Sequence, residues 1–384
     1  MILDQAIPTK FRTALFVLLF LLPLLHAARS FDRETGFTSL ILFGPAFDAR
    51  ALDEVRNIPH PLAGEVGYDG QFYAQLAIDP TLRHPQLATA LDNPRYRSVR
   101  ILLPALAHAL GLGRPAGILN AYALLNLAFF ALLLRGFARF LKPRTIRHFL
   151  CIAAAAWSTG ALASVARSLT DLPSATLAFW AAGLAGTAAS FPLFAAAVLC
   201  RESTVIGLFS VAWPRRAEKA EFIRAAAGGG LALLPIAAWT LYVAQVFGDA
   251  GTATPGSLGW PFVGLAAHLR SACAAVRDAP GRLPLFTLLS TLSLLAQAGY
   301  LLARPRMDSP FWRLGIAFAA LFVFFSEPLF AEQLAYCRAV LPLTLAFNAL
   351  LIANDDKHFL PWFVAGNAGM AFGALQTGWL LLHS

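Results

Sequence analysis

The chain has 384 residues, of which 58% are hydrophobic and only 13% charged. That charged share is about half the roughly 25% of a soluble domain, which excludes an ordinary soluble fold and points to a polytopic, all-α membrane protein. The net charge of +9 is not a nucleic-acid signal, because much of it lies in short basic stretches between apolar ones, where it sets orientation across a bilayer.

Residues 13–28 form the first apolar stretch, behind Lys10 and Arg12. His26-Ala27-Ala28 loosely resembles a signal cleavage site, but the many apolar stretches that follow favour an uncleaved helix with its N-terminus in the cytoplasm. Residues 29–114 read as a long first outside loop in which nine Arg balance nine Asp plus Glu. Within it, residues 38–47 are apolar but too short to cross, and residues 99–112 are Leu-rich and broken by Pro104. Both are expected to lie at the interface or re-enter, pressing the loop against the membrane. Were residues 99–112 to cross instead, every later orientation would invert.

Residues 115–141 span back to a basic turn from Lys142 through Arg144 and Arg147 to His148. Residues 149–167 and 174–188 follow, joined by a short turn containing Asp171. Residues 190–213 are compressed: two short apolar halves flank Cys200-Arg201-Glu202-Ser203-Thr204. At about 1.5 Å per residue, neither half covers about 30 Å of hydrocarbon, so a broken or re-entrant pair is expected. Residues 225–247, 284–303, 313–326, 337–353 and 359–382 bring the total to about ten or eleven crossings. The basic stretches at 142–148, 213–224 and 304–306 then share the cytoplasmic side, and residues 248–283 form a second outside loop. Residues 1–384 read as a single membrane domain without internal repeats.

The cysteines form no CxxC or Cys/His cluster, so no structural zinc is expected. Cys151 and Cys200 read as small apolar packing residues. Cys273 and Cys337 both fall in candidate outside loops, which leaves a disulfide between them open.

On this topology the polar residues of interest gather on the outer face: Asp69 and Asp92 in the first loop, Asp171, Arg201, Glu202 and Arg338. Ionisable groups in or beside spans cost a few kcal/mol each and mark function or an ion pair; for Arg201 and Glu202 the two readings weigh equally. Asp69 sits in Gly67-Tyr68-Asp69-Gly70-Gln71-Phe72-Tyr73. Glycines let a backbone approach a ligand or turn sharply, and aromatics beside a carboxylate suit sugar stacking or an interfacial belt.

That motif, with Asp79-Pro80, Asp92-Asn93-Pro94-Arg95-Tyr96-Arg97 and Arg100 through Pro104, resembles the first outside loop of GT-C-type membrane glycosyltransferases. The narrower resemblance is to bacterial cell-surface glycopolymer formation proteins and GPI-type mannosyltransferases. Arg201-Glu202 and Tyr336-Cys337-Arg338 match later, weaker landmarks. The resemblance implies a GT-C-like fold in the bacterial inner membrane, with the site facing the periplasm. It implies transfer of a sugar from a polyprenyl-phosphate donor to a glycan or lipid acceptor, with inversion and with Asp69 as base. Arg97 and Arg100 would hold the lipid phosphate. Tyr68, Gln71, Tyr73, Asp92, Asp171, Arg201, Glu202 and Arg338 are further candidates for substrate contact. No Asp-x-Asp pair stands in the loop, so no metal or other cofactor is expected. A lipid-linked-sugar flippase and a non-catalytic envelope-assembly subunit are the alternatives; a flippase would distribute charge through the spans and carry an internal repeat.

Overall fold

The computed structural model describes residues 2–214, 218–248, 256–354 and 357–383, and among these there are helices and no strands. The first helix, α1 (Thr9–Arg29), is continuous through Pro23 and buries little of its surface: Val17, Leu18, Leu21, Leu24 and Leu25 are exposed. Such a helix is stable only with hydrocarbon around it.

The first loop is folded. It carries α2 (Pro45–Asp48), α3 (Asp53–Arg56), α4 (Gly70–Ile78), α5 (Leu87–Ala90), α6 (Pro94–Ser98) and α7 (Leu102–Leu110). Residues 38–47 depart from expectation. Leu40, Ile41 and Phe43 are buried within the protein, so this apolar run is part of a core and does not lie flat on a membrane. α4 is buried on every side from Gly70 to Ala77, and its two glutamines are satisfied there, Gln71 accepting from Gly44 N–H and Gln75 from Leu52 N–H, both at 3.0 Å. α7 has nine residues, a length of about 14 Å, less than half of a crossing. It folds back against the next helix, α8 (Pro115–Leu141), whose Asn120 side chain accepts from Phe37 N–H at 2.8 Å. The chain therefore leaves the loop for α8 on the side where it entered.

α9 (Ile146–Ala156) and α10 (Thr159–Ala166) make up the expected 149–167 span, but bend by 48°. α11 (Asp171–Gly183) and α12 (Ser190–Cys200) form a hairpin, and a 3-10 turn at Glu202–Ser210 continues after an extended break at Arg201. This is the broken pair the sequence foreshadows. α13 (Lys219–Phe247) packs its Gly228 and Gly229 against Phe191 and Ala212. The basic Arg215 and Arg216 lie outside the described residues.

The second loop holds an unexpected helix, α14 (Val263–Asp278), followed by α15 (Arg282–Ala303), α16 (Pro310–Val323), α17 (Glu327–Phe330), α18 (Gln333–Ala339), α19 (Leu341–Asn354) and α20 (Phe359–His383). Among the described residues α1, α8, α13 and α15 are long and apolar enough to cross a membrane, and the bent α9 and α10 pair makes a fifth. α12, α16 and α19 are apolar but shorter. Cys273 and Cys337 are free thiols, the first exposed and the second buried, so the disulfide left open by their positions is not formed.

Apolar helices in lipid associate through close packing and polar links, and both are present. Gly369 lies against the Leu289 backbone, and Asn348 and Asn367 exchange amide hydrogen bonds of 2.9 and 3.1 Å between α19 and α20. Gln297 donates to Gly366 O and accepts from Thr344 Oγ1, so this buried network is satisfied.

The bundle has two distinct ends. Ile7 N–H donates to Arg144 O at 2.8 Å, Arg147 lies over Phe359, Trp362 packs on Tyr300, and Arg313 bonds Met307 O beside Trp213. The N-terminal segment and the basic turns around 142–148 and 304–306 thus share one end. Tyr122 and Asn126, early in α8, reach Ser168 O and Leu169 O. From there to the basic turn after Leu141, α8 runs about 30 Å. The folded first loop therefore sits at the opposite end.

Candidate functional site

Asp69 precedes the first turn of α4 in helical conformation, and its side chain makes no capping bond. An aspartate at a helix start usually bonds the exposed N–H groups; this one is turned away toward arginines. The flanking glycines explain how the chain gets there. Gly67 has φ +67°, and a Cβ on it would stand 2.5 Å from Gly44 N. A Cβ on Gly70 would stand 2.5 Å from Arg167 O and 2.8 Å from Ile41 O. Both glycines admit the protein's own backbone, where the sequence reading left a ligand approach or a sharp turn open.

Around Asp69 runs a chain of alternating charges. Arg97 Nη2 is 2.9 Å from Asp69 Oδ1, and the same guanidinium grips both oxygens of Asp92 at 2.7 and 2.8 Å. Arg338 Nη1, in the last turn of α18, is 3.6 Å from Asp69 Oδ2 and 3.5 Å from Asp171 Oδ2. Asp171, at the start of α11, also binds Arg201 at the break after α12. Arg100 takes both oxygens of Glu202 at 2.8 and 2.7 Å. Tyr73 O–H stands between the loop arginines, accepting from Arg100 Nη1 at 2.6 Å and Arg97 Nη1 at 3.4 Å. Planar guanidinium forks suit paired carboxylate oxygens, which makes these the strongest kind of ion pair.

Asp69 keeps 30% of its side chain exposed, whereas Asp171 keeps 2%. Burial alone would push the Asp69 carboxyl up. The charges of Arg97 and Arg338, and the Arg97 hydrogen bond, outweigh it and hold the carboxyl at about 2 against an ordinary 3.8. The result is an ionised, oriented carboxylate with an open edge.

The sequence-derived candidates thus divide. Asp69, Asp92, Arg97, Arg100, Asp171, Arg201, Glu202 and Arg338 come together in one network, although 269 positions separate its extremes, Asp69 and Arg338 (338 − 69). Gln71 does not present itself to a substrate. It is buried, with Oε1 accepting from Gly44 N–H at 3.0 Å and Nε2 donating to Val66 O at 2.7 Å. Tyr73 is likewise buried, and holds Arg97 and Arg100. The phosphate clamp expected at Arg97 and Arg100 is met by an obstacle of charge: both forks are already filled by Asp92 and Glu202. Among the described residues no group of three His, Cys, Asp or Glu side chains converges as a metal ion would require.

Two participants escaped the sequence reading. Glu332 accepts a hydrogen bond from the Tyr68 hydroxyl, fixing that ring beside Asp69. Arg167, at the end of α10, lies over the same ring at 4.9 Å, and Arg338 at 5.2 Å. The only sequence signal for Arg167 is a lone basic residue at the end of a span where the positive-inside pattern does not place one. Its position follows from a forced turn. Ser168 has φ +48°, a left-handed conformation rare for a non-glycine residue. Tyr122 and Asn126, one helical turn apart on α8, hold the carbonyls of Ser168 and Leu169, and the Ser168 hydroxyl donates to Leu40 O at 3.1 Å. The turn sends Arg167 toward Tyr68 and Asp171 toward Arg338.

No protein-family model, curated protein or solved structure matches this chain.

Proposed function

We propose that the chain is a membrane glycosyltransferase of GT-C type, with about ten or eleven crossings that combine the long helices with the short and bent ones. The donor is a polyprenyl-phosphate sugar and the acceptor a glycan or lipid at the periplasmic face of a bacterial inner membrane. The orientation reading is supported by the basic turns gathering with the N-terminal segment at one end, since such turns stay in the cytoplasm, while Asp69 lies at the other.

The observation that carries the reading is the Asp69 carboxylate: ionised, partly open, held by Arg97 and Arg338, and free of the capping bond its position would ordinarily give it. In the proposed step the acceptor hydroxyl oxygen attacks the anomeric carbon. The bond from that carbon to the phosphate oxygen breaks, polyprenyl phosphate leaves with the electron pair, and the hydroxyl proton passes to Asp69. A single displacement inverts the anomeric centre. A carboxylate held near 2 is a weak base toward a resting hydroxyl, so the proton moves late, when bond formation has made that oxygen acidic. Arg97 and Arg338 act as positioning residues. Arg100, Glu202 and Tyr73 brace Arg97 from behind.

A flippase would need charge distributed along its spans. Here the alternating charges gather at one end, and the polar network of α15, α19 and α20 is made of amides and hydroxyls with its bonds satisfied. The deciding experiment is transfer of radiolabelled sugar from a panel of polyprenyl-phosphate sugars by the purified protein, with Asp69→Asn alongside. Equal transfer by the two proteins refutes the mechanism.

A further inference from the structure

Among the described residues, one guanidinium beside the site faces no carboxylate at ion-pair distance. Arg97, Arg100, Arg201 and Arg338 each face a carboxylate within 4 Å. Arg167 is only partly exposed, yet among the described residues it meets no carboxylate within ion-pair distance and no hydrogen-bond acceptor; its contact is the Tyr68 ring at 4.9 Å. Removing a cation from water without a counter-charge is costly, and a π-face returns only part of that cost. A buried polar atom without a partner lies in the same region. His26, in the last turns of α1, has its Nε2 buried without a partner, within reach of the Arg167 charge. A buried ring nitrogen without a partner, near a guanidinium that faces no carboxylate, at the edge of a site, is a place for a ligand to fill.

Three features fix the chemistry of that ligand. It is an anion, since Arg167 and Arg338 both lie over Tyr68 while Glu332 is engaged by the Tyr68 hydroxyl. It arrives from the bilayer, because α1 carries an exposed apolar face through Val17, Leu18, Leu21, Leu24 and Leu25 that ends at His26. And it stands one residue from Asp69, since Tyr68 is the residue both guanidinium groups cover. The cavity of about 490 Å³ under α14 does not compete for this role: its charged lining group is Glu327, with His268, Ser271 and Thr287.

From this we infer that Arg167, backed by His26, seats the phosphate of a prenyl-phosphate lipid, whose hydrocarbon chain lies along the exposed face of α1. This rests on the glycosyltransferase reading for the identity of the lipid, but the site itself does not require sugar transfer. Arg97 and Arg338 then hold the base, and Arg167 supplies the cation that the leaving phosphate needs.

The test is binding without chemistry. Purified full-length protein is titrated calorimetrically with a short-chain prenyl phosphate, the matching prenyl alcohol and inorganic phosphate. The prenyl phosphate should bind, with the alcohol weaker by at least about tenfold, the loss expected for a charge-assisted contact. Arg167→Gln should bring the phosphate down to the alcohol, Arg167→Lys should recover part of the loss, and His26→Phe should weaken it less. Arg277→Gln, on an exposed pair with Asp278, should change nothing. A prenyl phosphate with a photoreactive tail should label α1, and labelling confined to α13 overturns the path. Unchanged affinity in Arg167→Gln, or inorganic phosphate binding as tightly as the lipid, overturns the lipid-phosphate seat; if Arg167→Gln fails to fold, the Lys and His26→Phe variants decide. A protein that binds as described but transfers no sugar would instead refute the glycosyltransferase reading and leave this inference standing.

Discussion

Replacing Asp69 with asparagine separates fold from chemistry. The amide keeps the shape of the side chain and can still accept from Arg97. It leaves no orphaned charge, because Arg97 retains both oxygens of Asp92 and Arg338 retains Asp171. The carboxyl sits at about 2 instead of 3.8, so its ionisation stabilises the fold by roughly 2 kcal/mol at neutral pH. Losing that should lower the unfolding midpoint by only a few degrees in a chain of this size. Transfer should fall far more, by about 100- to 10,000-fold, the range for removing a general base. The assay pairs a thermal unfolding curve with the rate of sugar transfer from the polyprenyl-phosphate donor. A folded Asp69→Asn protein that keeps more than a tenth of the wild-type rate would refute the assignment. A variant that does not fold would show instead that the charge network is chiefly structural.

Arg97→Gln removes the largest charge opposing burial at Asp69, so the carboxyl should rise from about 2 toward the ordinary range and the acid limb of kcat/KM should move up with it; an unmoved limb would detach Asp69 from that limb. The wild-type sign follows from the same depression: the stability Asp69 contributes is complete above about 3.8 and is lost as pH falls through about 2. Wild-type and Asp69→Asn unfolding midpoints should therefore converge only in strong acid. Arg100→Gln strands Glu202 and should cost about 2 kcal/mol, less than the 3–5 of a fully buried pair, because Glu202 remains 36% exposed. Adding Glu202→Gln should recover much of that in a denaturation cycle, and strict additivity would argue against coupling. Gly70→Ala should destabilise by roughly 1–3 kcal/mol despite the better helix propensity of alanine, since its Cβ would overlap the carbonyls of Arg167 and Ile41; a neutral or stabilising result would show that these backbones can part.

The long apolar helices were legible because lipid imposes a local rule: about 20 apolar residues in a row need no partner to be recognised. α8 and α15 follow the sequence reading closely, and Arg201 falls at the anticipated break between two short helices. The bend between α9 and α10 was not legible, nor was the burial of residues 38–47, because an apolar run reads the same whether lipid or protein covers it. α14 was missed in a segment whose glycines and prolines suggested only loop.

Asp69 was visible from its own motif, and the residue types around it announced a charged site. What residue types do not announce is who holds whom. The pairing of Arg97 with Asp92 and of Arg100 with Glu202, and the internal bonding of Gln71 and Tyr73, depend on α4, α6 and the break after α12 converging in space. Arg167 is the plainest case. In sequence it is one arginine at the end of a span. Only the left-handed turn at Ser168, held by Tyr122 and Asn126 from α8, carries it to the Tyr68 ring, where among the described residues no carboxylate stands at ion-pair distance. Sequence determines which charges the chain must accommodate, and the tertiary contacts decide which of them is left for a ligand.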